Sequence, residues 1–245
     1  MSAGELFGFT ENTLRVTLSR LVSRGLLTSP RRGYYQLSAG TSELNRFVDD
    51  WRLGESRMRP WQDGQWLMCH LTEATDRSRW ALESLGFREV RPALWARPDN
   101  LSVDFSSLRD RLQNLGLEDT ALVLGPCEID AQTQQSWRAA WPVEDLLHAY
   151  LAALERLQKS AQNLETLPRR QAKLESFTIG GEMIHLLAKD PLLPGQWLDG
   201  SNRDRLGQAM LRYDQQGKDI WAQPEGQSPT HLPRPQHPLQ QPLPA

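Results

Sequence analysis

The sequence has few of the residues that build metal centres, disulfide scaffolds or membrane spans. Its 245 residues include only two cysteines, Cys69 and Cys127, and neither has the paired spacing of a zinc site. Both lie in apolar surroundings, so we expect them to be buried free thiols. The chain has no run of 18 apolar residues and no N-terminal secretion signal. These absences predict a cytoplasmic protein that does not enter a membrane.

The sequence also lacks the common catalytic motifs. It contains no Gly-x-Ser-x-Gly, no His-Glu-x-x-His, no phosphate-binding glycine loop and no Cys-x-x-Cys. Glu182 and His185 have the spacing of half a di-iron carboxylate motif, but no second copy is present, and an ordinary helix surface is the better interpretation. Asp145 and His148 also lack a second copy that would complete such a motif. We therefore expect no catalytic activity, no metal and no cofactor.

The net charge of -2 does not favour nucleic-acid binding, but the distribution of charge does. Residues 1–40 contain five arginines and two glutamates, a net charge of +3, so the other 205 residues carry -5. A positive region of this kind is what a protein needs to meet the phosphates of DNA.

The stretch from Thr10 to Leu37 predicts a helix followed by a hairpin. Thr10 suits the N-cap of a helix, and Gly25 suits its end. The apolar side chains recur at the spacing of one buried helix face, at Leu14, Leu18, Leu21 and Val22. Strand-like runs follow at residues 26–28 and 34–37, on either side of a basic tip at residues 29–33.

This arrangement is typical of the recognition helix and wing of a winged helix-turn-helix domain. The face opposite the apolar stripe would meet base edges through Asn12, Thr13, Val16, Ser19 and Arg20. The flanking and wing arginines would meet phosphates, namely Arg15, Arg24, Arg31 and Arg32. An ordinary amphipathic helix packed on a hairpin, with solvated arginines, is the alternative interpretation.

The nine residues before Thr10 can supply most of only one short helix. A complete helix-turn-helix domain has another helix upstream, so the first helix is apparently missing. We therefore expect a loosened N-terminal domain that binds DNA weakly.

The rest of the chain divides by pattern into a mixed region, a helical region and a tail. Residues 61–136 alternate strand, helix, strand, helix and strand, with residues 90–96 as one strand, which predicts a ferredoxin-like α+β unit with one strand unplaced. Residues 137–222 read as helices, one of them at 171–188 and interrupted or thinned at Gly180 and Gly181, and a last one at 202–215. Residues 223–245 carry seven prolines and are expected to be disordered.

The chain up to about Trp221 resembles the PaaX family of bacterial repressors of phenylacetic-acid degradation genes, most specifically in three segments. They are residues 14–26 of the helix and its stop, the entry from Trp61 to Trp66, and the segment Lys189-Asp190-Pro191-Leu192-Leu193-Pro194 followed by Trp197. The resemblance implies an N-terminal winged helix over residues 1–60, a ferredoxin-like middle domain and a helical C-terminal domain. It also implies operator DNA as partner and phenylacetyl-CoA as the effector that releases the repressor.

The resulting hypothesis is a homodimeric repressor of an aromatic-acid catabolic pathway, released from DNA by an acyl-CoA thioester. The alternative is a regulator-derived protein that no longer binds DNA and acts through ligand or protein contacts. A nuclease built on the middle domain is disfavoured, because Glu73 is the nearest carboxylate to the end of its first strand and no partner is placed. The sequence does not identify the effector site. Trp137, Trp141 and Trp197 could stack on an aromatic group, although tryptophan at helix ends more often belongs to the core.

Overall fold

The computed structural model describes residues 6–23, 27–31, 33–38, 42–62 and 64–222. It contains helices and two antiparallel sheets, which confirms the predicted α+β class. The predicted tail at 223–245 lies outside the described residues. Within the described part, none of the helices combines the length and apolar character needed to cross a bilayer.

The N-terminal elements are a helix and a two-stranded hairpin, followed by a second helix. Helix α1 spans Glu11–Ser23, strand β1 Leu27–Arg31 and strand β2 Tyr34–Leu37. Helix α2, Ser42–Asp49, continues into a 3₁₀ segment, Asp50–Arg57. The predicted hairpin is present, but its tip is shorter than the predicted residues 29–33, because β1 continues through Arg31, which pairs with Tyr34.

The middle of the chain forms a four-stranded antiparallel sheet with two helices. Its elements are β3 Gln65–His70, α3 Asp76–Ser84, β4 Arg88–Arg91, β5 Leu94–Pro98, α4 Phe105–Leu115 and β6 Leu122–Glu128. The strands lie in the order β4-β5-β3-β6. This is the β-α-β-β-α-β connectivity of the ferredoxin-like fold.

The single strand predicted at residues 90–96 is wrong, because the chain reverses at Pro92 and Ala93. Arg91 pairs directly with Leu94 across this turn, and Ala93 adopts a positive φ of 65°. The Ala93 amide donates to Glu89 Oε1 at 3.1 Å, which helps to hold that conformation. The reversal supplies the strand that the sequence pattern left unplaced and puts β4 at the sheet edge.

The C-terminal part consists of four helices. They are α5 Ala131–Arg138, α6 Val143–Asn163, α7 Arg169–Ala188 and α8 Ser201–Ala222. The last three pack around one apolar core that includes Tyr150, Leu157, Met183, Leu206 and Met210.

Helix α7 runs through both Gly180 and Gly181, so of the two predicted alternatives the interruption is wrong. A Cβ at Gly180 would lie 3.6 Å from Met210 Cε, an ordinary van der Waals contact with α8. Helix α8 also extends beyond the predicted end at residue 215. Its last turn is held on α7, where Trp221 Nε1 donates to Ser176 Oγ at 3.2 Å.

The outer face of the sheet is covered by a tryptophan cluster, which consists of Trp61, Trp66, Trp137, Trp141 and Trp197. Trp66 on β3 is fully buried at its centre, with ring centroids of the other four 5.4–6.1 Å away. These spacings are those of favourable aromatic pairs. The cluster therefore supports the core interpretation of Trp137, Trp141 and Trp197.

A buried arginine joins the sheet to the segment between α7 and α8. The Arg97 guanidinium donates to the carbonyls of Leu85 and Pro191, and to Asn100 Oδ1 at 2.9 Å. Asn100 Nδ2 in turn donates to the Leu192 carbonyl at 2.7 Å. Burial lowers the pKa of Arg97 to about 9, so the side chain is still cationic at neutral pH.

Gly86 allows this segment to approach and gives a matched pair of test substitutions. Its φ is +79°, and a Cβ there would lie 2.7 Å from the Pro191 carbonyl oxygen. We expect Gly86→Ala to lower the free energy of unfolding by about 1–3 kcal/mol, through backbone strain and this clash. The control is Gly181→Ala, which has open space around it and should raise stability by up to about 1 kcal/mol through helix propensity. Urea unfolding checks both, and a Gly86→Ala protein as stable as wild type would contradict the close approach of Pro191 to Gly86.

Helix α1 has none of its side chains buried. The four members of its apolar face, Leu14, Leu18, Leu21 and Val22, are only half-buried. Of the described residues before α1, Leu6 is buried, and the Phe7 ring meets Phe177 edge-on at 4.9 Å between centroids. Little apolar burial therefore stabilises α1.

Amide hydrogen exchange should report this difference. We expect amides of α1 to exchange at least about tenfold faster than those in the middle of α6 and α8, because helices with few buried contacts open at low free-energy cost. The long helices of the same molecule serve as the internal control. Protection in α1 equal to that of α6 would show that its apolar face is covered.

Candidate nucleic-acid interface

Helix α1 begins at a threonine cap, as its sequence predicts. Thr10 Oγ1 accepts a hydrogen bond from the Thr13 amide at 3.1 Å, and the two threonine hydroxyls are 2.9 Å apart. The cap satisfies one of the amides that a helix leaves unpaired at its start. Thr13 is therefore engaged in the cap, although its side chain stays exposed.

The structure places the predicted base-reading residues at the surface. The exposed positions are Asn12, Thr13, Val16, Ser19 and Arg20, and the half-buried apolar face lies opposite them. Val16 is 43% exposed. Helix α1 packs against β1, which joins the helix and the hairpin into one unit.

Arg15 carries its own counter-ion on the helix. Its guanidinium is 2.8 Å from Glu11 Oε1, and both side chains are strongly exposed. Exposed pairs of this kind are weak and readily exchanged. A DNA phosphate could therefore replace Glu11 as the partner of Arg15.

The hairpin carries an arginine stacked on an aromatic ring. The Arg31 guanidinium carbon lies 3.4 Å from the centroid of the Tyr34 ring, and Gly33 between them has a φ of +81°. Tyr34 and Tyr35 are both exposed. We did not predict these tyrosines as interface residues, although two adjacent aromatic residues beside a basic turn are a signal visible in the sequence.

Three predicted residues of this region lie outside the described residues, namely Arg24, Gly25 and Arg32. Their roles remain predictions from the sequence.

The other side chains considered for chemistry do not come together. No group of three or more histidine, cysteine or acidic side chains that could hold a metal occurs among the described residues. Glu182 forms an ion pair with Arg156 at 2.5 Å. Cys69 is buried, which raises the pKa of its thiol to about 12, and Cys127 is half-buried.

The helix and hairpin coincide with a match to a known family. Residues 4–41 match the family model described as PaaX-like protein. The predicted family resemblance is confirmed over these residues, and it supports a general role in transcriptional regulation, which this resemblance implies.

The chain is also similar to solved structures. The structure of the uncharacterized protein Rv0674 from Mycobacterium tuberculosis is similar, with 23% sequence identity and a TM-score of 0.48. The similarity covers 88% of this chain and 87% of that chain. None of the curated proteins matches the chain.

Proposed function

We propose that this chain is a DNA-binding transcriptional repressor of an aromatic-acid catabolic pathway. It would act in the cytoplasm as a homodimer and leave its operator when an acyl-CoA thioester such as phenylacetyl-CoA binds. The observation that carries the proposal is the exposed polar face of α1 within a PaaX-like segment. The proposal assigns no catalytic step to the chain.

The face of α1 suits the major groove. It presents an amide, hydroxyls, one small apolar side chain and the guanidinium of Arg20, and these groups read base edges in recognition helices. Its one exposed acid, Glu11, lies in the first turn and is paired with Arg15. The face therefore carries little charge that would repel DNA.

The hairpin suits the phosphate backbone. Arg31 is exposed and stacks on the Tyr34 ring, a cation–π arrangement that orients the guanidinium. The net charge of +3 over residues 1–40 supports the same assignment.

A second candidate is a regulator that acts through protein contacts instead of DNA. It is favoured by exposed apolar side chains near the same surface, since Phe9 is 53% and Leu37 59% exposed. Apolar groups at a surface suit a protein partner better than a phosphate backbone. A gel shift with DNA from upstream of its own gene separates the two candidates.

Arginine substitutions test the DNA-binding surface. We expect Arg20→Ala to reduce discrimination at one or two base pairs by about 1–3 kcal/mol. Arg31→Ala should weaken specific and non-specific DNA alike and flatten the salt dependence of binding. Fluorescence anisotropy with an inverted-repeat operator and with random DNA at several salt concentrations measures both effects.

Arg156→Ala is the matched control, because Arg156 is an exposed arginine on α6, far along the chain from the PaaX-like segment. It should bind both DNAs as wild type does. An Arg31→Ala protein with wild-type affinity at every salt concentration would contradict the wing assignment.

Calorimetry tests the effector. We expect phenylacetyl-CoA to bind the free protein more tightly than the protein–DNA complex, because a ligand that weakens DNA binding must itself bind less tightly to the complex. Free CoA and phenylacetate serve as controls. Equal affinity for free and DNA-bound protein would exclude phenylacetyl-CoA as the releasing effector.

A further inference from the structure

A cavity of about 570 Å³ lies away from the proposed DNA surface. It is lined by α2 and the 3₁₀ segment Asp50–Arg57, by α4, and by the ends of α3 and α7. Its size falls within the range of small-molecule sites in proteins.

The cavity has an apolar buried wall and a polar rim. Buried apolar side chains line it, among them Phe47, Leu85, Leu101 and Leu192. The exposed lining residues are mostly polar or charged and include Ser102 and Asn114. A molecule with an apolar body and a polar end would therefore bury its apolar body in the cavity and keep its polar end near the opening.

Charged residues around the cavity favour an anion as the polar end. The lining holds four arginines and three aspartates, Arg46, Arg57, Arg97, Arg111, Asp50, Asp110 and Asp190. Arg111 is ion-paired with Asp50. Both carboxylate oxygens of Asp190 are occupied, one by the Tyr150 hydroxyl at 2.5 Å and the other by the Leu192 amide at 2.7 Å.

Arg57 is the cation best placed to meet a ligand. Its hydrogen bonds to described residues go to the carbonyls of Gly54, at 3.4 Å, and Leu187, at 3.3 Å, both long contacts to uncharged groups. Burial lowers the pKa of Arg57. The acids Asp190 and Asp50 raise this pKa, and the cation Arg203 lowers it further. A carboxylate or phosphate beside Arg57 would restore the solvation that the guanidinium has lost.

An unpartnered hydroxyl lies in the same wall. Ser84 is 2% exposed, and its Oγ has no hydrogen-bond partner among the described residues. Buried hydroxyls are normally satisfied by protein, water or ligand. A polar group in the cavity would fulfil that requirement.

We propose that this cavity binds a small organic anion with an apolar body. The anionic group would face Arg57, and the apolar body would face Phe47, Leu101 and Leu192. Because Phe47 belongs to α2, which follows the β1–β2 hairpin in the chain, occupancy would also fix α2 against the ferredoxin-like unit. If the protein is the repressor proposed above, this cavity is where its effector binds. This assignment of the effector rests on the proposed function.

The test is calorimetry on the full chain with phenylacetyl-CoA, phenylacetate and inorganic phosphate as probes. We expect at least one of the two phenylacetyl compounds to bind, and inorganic phosphate to bind more weakly because it has no apolar body. Arg57→Met should reduce the affinity by about tenfold or more through loss of the charge-assisted contact, and Arg57→Lys should recover part of it. Ser102→Trp, at the exposed rim, should also reduce it by obstructing the opening.

Ser136→Trp is the matched control, since Ser136 is exposed on α5 and does not line the cavity. Circular dichroism establishes that each variant is folded. No binding of either phenylacetyl compound, or wild-type affinity in Ser102→Trp, would overturn the proposal. DNA binding is measured separately: ligand binding at the cavity without any DNA binding would contradict the proposed function and leave this inference standing.

Discussion

A buried guanidinium connects the ferredoxin-like unit to the C-terminal helices. Arg97 on β5 holds the Leu85 carbonyl of its own unit and the Pro191 carbonyl of the segment that leads to α8. Taking such a cation out of water costs several kcal/mol by order of magnitude unless its donors are satisfied. Here backbone carbonyls and Asn100 satisfy them, and Asn100 also binds Leu192. The geometry of the 189–194 segment, of the tryptophan cluster beside it and of the cavity therefore depends on this one side chain.

The tryptophan cluster covers the other face of the same sheet. Trp66 supplies its centre from β3, and Trp137, Trp141 and Trp197 bring in α5 and the chain beyond Pro194. Trp141 also donates to the Gly86 carbonyl at 3.1 Å, next to the Arg97 contacts. Large aromatic groups that pack edge to face define relative orientation as well as burial. The ferredoxin-like unit and the helices are thus fixed to each other on both faces of the sheet.

The N-terminal unit is built differently. Helix α1 buries none of its side chains, whereas the middle and C-terminal cores bury many. Elements of low local stability are the ones that binding can most readily order or move. Helix α2 and the 3₁₀ segment connect this weakly packed unit to the rigid remainder, and both line the cavity. A ligand in the cavity would therefore act on the connection between the proposed DNA-binding surface and the rest of the protein.

The sequence by itself determined the elements whose signals are local. The periodicity of α1 placed its half-buried face correctly. The same periodicity indicated which side chains of α1 are exposed at the candidate DNA surface, because the apolar face of a helix also determines its opposite face. Only the tertiary structure decided the reversal at Ala93, the continuity of α7 through Gly180 and the partners of Arg97. The last two depend on contacts between residues far apart in the chain, up to 94 positions for Arg97 and Pro191, which local patterns do not encode.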